Sequence, residues 1–77
     1  MSTDDTAAEY IDLDNLVMSL ATLLRVTGSP ANSALPRDLT PEEAAYLVTE
    51  LANHSFTVYV GENPQPKYPY GISVYLI

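Results

Sequence analysis

Leu13, Leu16, Val17, Leu20, Leu23 and Leu24 recur every three or four positions, which places them on one face of a helix. Gly28 and Pro30 supply a stop, so the spacing predicts a first helix from about Asp14 to Thr27. Its start carries rival signals. Thr6 with Glu9 has the form of a capping box, whereas Asp12 and Asp14 each suit the cap of a later start, which would free residues 9–13 for a short strand. Residues 28–39 are broken by Ser29, Pro30, Asn32, Ser33 and Pro36 and predict a connecting loop. A sharper signal follows. Thr40 offers a capping hydroxyl, Pro41 suits the first helical position, and Glu43 stands three residues after the cap, so a second helix begins at Pro41. Ala44, Leu47, Val48 and Leu51 form its apolar stripe; Glu42, Glu43, Thr49, Glu50 and Asn53 fill the rest, until Asn53 and His54 close it.

Beyond the second helix the period shortens to two. In residues 55–61, Phe56, Val58 and Val60 alternate with Thr57 and Tyr59; in residues 71–77, Ile72, Val74 and Leu76 alternate with Ser73, Tyr75 and Ile77. Residues 62–70 hold Pro64, Pro66 and Pro69 and predict an extended, stiff loop joining two antiparallel strands. The fold class expected is α+β, with two helices packed on a small antiparallel sheet that ends in a C-terminal β-hairpin with a long Pro-rich loop. A lone hairpin is marginal in water, so a third strand should pair with it. Residues 9–13, the same strand of a second copy, and a partner protein are the candidates.

The length, 77 residues, has room for one domain, with residues 1–8 as an arm ahead of it. With no cysteine there is neither a disulfide nor a thiolate site, which fits a reducing, cytoplasmic setting. Residues 1–9 contain Asp4, Asp5 and Glu9 but no Lys or Arg and no apolar run, unlike a secretory signal or transit peptide. The longest apolar stretch, residues 16–24, is interrupted by Ser19 and Thr22 and is too short to span a bilayer, so a soluble protein is expected. Ten acids face Arg25, Arg37 and Lys67, for a net charge of −7. Such a chain repels nucleic acid, whose binding depends on Lys and Arg displacing counterions, and it attracts a basic protein surface.

The sequence contains no phosphate-binding glycine loop, histidine pair or nucleophile elbow. His54, the sole histidine, is placed as a polar helix-end residue rather than as a general base. Asn53, His54 and Ser55 match a glycosylation sequon by composition only. Asp12 and Asp14 alternate like the first ligands of a calcium loop, but Val17 and Leu23 occupy the positions of its turn glycine and distal glutamate. Helix capping is therefore the role expected of that pair, with no metal, no cofactor and no enzymatic activity.

Two surfaces remain as candidates for contact with a partner. Asp12, Asp14, Glu42, Glu43 and Glu50 can form a carboxylate array that occupies a Lys/Arg surface, or can simply solvate the helix ends. Tyr68 and Tyr70 flank Pro69 in a loop with little entropy left to lose on binding, or fold back on the sheet beside Tyr59 and Tyr75. In size, acidity and lack of catalytic motifs the chain resembles small phage-encoded proteins that block bacterial defence, anti-CRISPR proteins in particular. That class shares no common sequence, so the resemblance assigns no residue a role. The function expected is a non-enzymatic, protein-binding inhibitor or regulator docking on a basic, nucleic-acid-handling protein. The alternative is an assembly subunit that forms a homodimer through residues 71–77 as an edge strand.

Overall fold

A computed structural model describes residues 10–77. Helix α1 is Leu13–Val26. Asp12 is its cap, accepting from the Asn15 N–H at 3.1 Å. The later of the two starts is therefore the one adopted; Thr6 and Glu9 of the earlier one, and the arm of residues 1–8, lie outside the described residues. Leu16, Val17, Leu20, Ala21 and Leu24 point into the core. At the far end Gly28 sits at φ +84 and its N–H reaches the Leu23 carbonyl at 3.1 Å. No neighbour crowds Gly28, so glycine is suited here by backbone angle alone.

The strand that completes the sheet comes from the predicted loop. Strand β1 is Ala31–Ala34, following a cis Ser29–Pro30 peptide. Residues 10–13 do not supply it: Ile11 enters the core, Asp12 caps and Leu13 opens α1. Ala-Asn-Ser-Ala has no strand propensity of its own. It pairs because the C-terminal strand would otherwise leave peptide groups unmet, and because Ala31 is small enough to be buried where α1 meets the sheet.

Helix α2 is Pro41–Asn53, with the Thr40–Glu43 capping box formed in both directions. It ends in a Schellman motif: Ser55 N–H bonds Ala52 O at 2.9 Å and Phe56 N–H bonds Leu51 O at 2.8 Å. Ser55 takes the left-handed position at φ 72. Because Ser55 and Phe56 serve this helix stop, the next strand starts later than the alternation suggests. Strand β2 is Val58–Glu62 and strand β3 is Gly71–Leu76.

The sheet order is β1-β3-β2, antiparallel throughout. β3 is thus the central strand and not an edge, which removes residues 71–77 from the dimer contact expected of them. α1 packs on β1, α2 on β2, and the helices on each other. Val58, Ile72 and Val74 face the helices, whereas Tyr59 and Tyr75 pair on the outer face with ring centroids 6.0 Å apart. Leu76, on the inner alternation, lies at the sheet end and is exposed. Ser73, on the outer alternation, is buried, and its hydroxyl donates to Asn32 Oδ1 of β1.

The hairpin loop is folded and not simply extended. Gln65 and Tyr68 exchange backbone hydrogen bonds of 2.9 and 3.0 Å around Pro66, whose fixed φ suits the second position of a tight turn. Among the described residues no helix is long and apolar enough to cross a membrane.

Candidate protein-binding surface

The capping chemistry that starts the two helices also gathers their acids. The first turn of α1 and the first two turns of α2 border one open depression, lined by Asp12, Asp14, Arg37, Glu43 and Tyr46 among others. Tyr46 links its two sides. Its hydroxyl donates to Asp14 Oδ1, joining the helices side chain to side chain. Glu42 and Glu50 stand one helical turn before and after Tyr46, on the same face. The bond to Asp14 pushes the Tyr46 hydroxyl up to about 12, with partial burial and the charges of Asp14 and Glu50 acting in the same direction.

Glu43 is engaged differently. Arg37 Nη1 and Nη2 donate to its two carboxylate oxygens at 2.7 and 2.8 Å, and the Thr40 N–H donates at 2.9 Å. The Arg37 bonds, then the Thr40 bond, hold the Glu43 carboxyl down to about 2, against a smaller opposing effect of burial. A depressed carboxyl contributes stability that is fully present above its ordinary value of 4.5 and is lost as pH falls towards 2. Glu43→Gln should therefore lower the thermal midpoint at neutral pH, and the gap to the parent chain should close between pH 4.5 and 2. Melts followed by circular dichroism across that range would check it; a constant gap would mean that the ion pair is not its source.

The remaining acids are less committed. Asp12 caps α1, but the carboxylates of Glu42 and Glu50 make no hydrogen bond or ion pair to a described residue. The bases are tied locally: Arg25 lies 5.9 Å from the centre of the Phe56 ring, and Lys67 lies 5.6 Å from that of Tyr68. Of the three, only Arg37 borders the acidic depression.

Tyr68 and Tyr70 do not join this surface. Tyr68 lines a separate groove with Asn32, Ser33, Ala34, Asn63, Gln65 and Gly71, and none of the five acids borders it. Both tyrosines are exposed, and the ring pair on the outer face is made by Tyr59 and Tyr75 alone among the described residues. The groove is a place of carboxamides. Asn32 Oδ1 accepts from Asn63 Nδ2 at 3.3 Å, and Asn63 Oδ1 accepts from Gln65 Nε2 at 3.0 Å.

Sequence reasoning overlooked Tyr46 and Arg37. The Glu42, Tyr46, Glu50 spacing of four was visible, and it marks a shared helix face. Nothing local shows that Arg37, from the connecting segment, turns back to Glu43.

No known family, curated protein or solved structure matches this chain.

Proposed function

We propose that the chain is a non-enzymatic regulator that binds another protein, presenting the acidic surface around Tyr46 to a basic site on a nucleic-acid-handling partner. A phage anti-defence inhibitor of the anti-CRISPR type would act this way. The observation that supports it most is the convergence of Asp14, Glu42 and Glu50 from two helices around one half-exposed tyrosine. Carboxylates so grouped steer a basic partner from a distance, and Tyr46 supplies apolar area at the centre once they meet.

Glu42 and Glu50 give the clean test, because neither holds the fold together by a hydrogen bond to a described residue. Tagged protein is expected to capture a nucleic-acid-handling protein from nuclease-treated extract of a bacterium carrying CRISPR systems, and to release it as salt rises. The double variant Glu42→Gln, Glu50→Gln should weaken that binding by roughly three- to tenfold, the range of two exposed charge contacts. Undiminished binding by the double variant, or binding indifferent to salt, would end the charge-based reading.

A further inference from the structure

The two outer strands of the sheet are finished differently. In an antiparallel ladder the residues that exchange hydrogen bonds alternate with those that do not. The bonds from Ile77 N–H to Thr57 O and from Asn63 N–H to Gly71 O fix the phase between β2 and β3. Tyr59 and Gly61 therefore turn their peptide groups towards β3, and Val58, Val60 and Glu62 turn theirs outward. β1 is four residues long and bracketed by Pro30 and Pro36. β2 contains neither proline nor lysine, its register runs without a bulge, and no described residue pairs with its outer side. Among the described residues, the single charge of Glu62 at its last position is all that β2 has of the devices that normally protect an exposed edge.

The helix above that edge is uncharged on the matching side. α2 lies over β2 with α1 on its other side, and Tyr46, bonded to Asp14, marks the flank that faces α1. At 3.6 residues per turn the opposite flank carries Ala45, Val48 and Ala52, all exposed. On a chain with a net charge of −7, this is a side on which two copies can approach without bringing the acids around Tyr46 together.

We propose that two copies join β2 to β2 in antiparallel fashion about a two-fold axis at Val60, making one continuous sheet, with the Ala45, Val48 and Ala52 flanks of the two α2 helices packed alongside. The strand complements itself in this register. Val60 faces Val60 and Val58 faces Glu62, so every outward peptide group of β2 is used, and the two Glu62 carboxylates stand at opposite ends of the contact. Tyr59 falls opposite Gly61 of the second copy, which extends the tyrosine face across the axis.

This inference is independent of the docking proposal and responds to salt with the opposite sign. Sedimentation equilibrium of the full chain from micromolar to millimolar concentration should show a monomer–dimer equilibrium that strengthens at high salt, as the like net charges are screened. Hydrogen exchange of the Val58, Val60 and Glu62 amides should slow as concentration rises, while that of Asn32 and Ala34 on the β1 edge should not. Ala52→Glu, at an exposed helix position, should weaken the dimer at least tenfold and lower monomer stability only slightly, as an acid in a last helical turn does. A chain still monomeric at millimolar concentration in high salt would overturn the proposal. So would Ala52→Glu dimerising like the parent, or slowed exchange on β1 instead of β2. Slow exchange of the β2 amides at every concentration in a monomer would mean that the chain covers its own edge, and would overturn it too.

Discussion

Leu47→Ala is expected to remove most of the domain's stability in water at room temperature. Helix α2 buries two side chains completely, Leu47 and Leu51, each with 0% exposure. The rest of its stripe is weaker: Ala44 is small and half-buried, and Val48 keeps 36% of its surface exposed. Cutting a fully buried leucine to alanine costs about 2–5 kcal/mol, because the cavity left behind adds to the lost transfer energy. A cysteine-free domain of this size has a net stability of only a few kcal/mol to lose, on the order of 3–5. Val48→Ala, by contrast, should cost less than about 1 kcal/mol, since much of that side chain never leaves water. Urea unfolding followed by circular dichroism distinguishes the two. A Leu47→Ala midpoint close to that of the parent would show that α2 is held by something other than this contact.

What could be read from the sequence divides by range. The start of α2 was legible because a capping box is closed by residues three apart, and Thr40, Pro41 and Glu43 carry all its chemistry. β3 was legible as a strand from its own alternation, but its central place was not, because that depends on a partner forty residues away. β1 was hidden for the same reason. Ala31 to Ala34 have no period, and only the unmet peptide groups of β3 make them a strand. The same limit applied to Ser73, which alternation placed on one face with Tyr75 and Ile77 without showing that it is buried. It is buried on the central strand, flanked by β1 and β2, and Asn32 of β1 accepts its hydroxyl.

The candidate surface followed the same rule. Asp12, Asp14, Glu42, Glu43 and Glu50 could be picked out as acids, yet their grouping required the two helix starts to meet at Tyr46. The structure also separates duties that composition had merged. Asp12 and Glu43 hold helix ends and Asp14 ties the helices together, so neutralising them would confound stability with binding. Glu42 and Glu50 carry charge without those bonds, and for that reason they decide the functional question.

Gly71→Ala should open the hairpin at its loop end and destabilise the domain by about 1–3 kcal/mol, the usual cost of forcing an extra methyl into filled space. Gly71 begins the central strand, with β1 on one side and β2 on the other. A Cβ there would lie 2.6 Å from the Asn63 carbonyl oxygen and 3.3 Å from that of Ser33. Both are backbone atoms of neighbouring chain segments and cannot rotate aside as a side chain would. Either Asn63 withdraws, stretching the bond its N–H makes to Gly71 O at 2.9 Å, or β1 is pushed away from β3. Gly28→Ala is the control, because nothing lies within 4 Å of its added methyl and only its φ of +84 resists the change. Both variants should lower the urea midpoint, but amide exchange should tell them apart. In Gly71→Ala the amides of Asn63 and Leu35, which bond Gly71 O and Tyr70 O, should exchange faster; in Gly28→Ala they should follow the global change alone. Unchanged stability in Gly71→Ala would mean that the loop end has room the structure does not show, and that closure of the hairpin against β1 does not depend on glycine at its hinge.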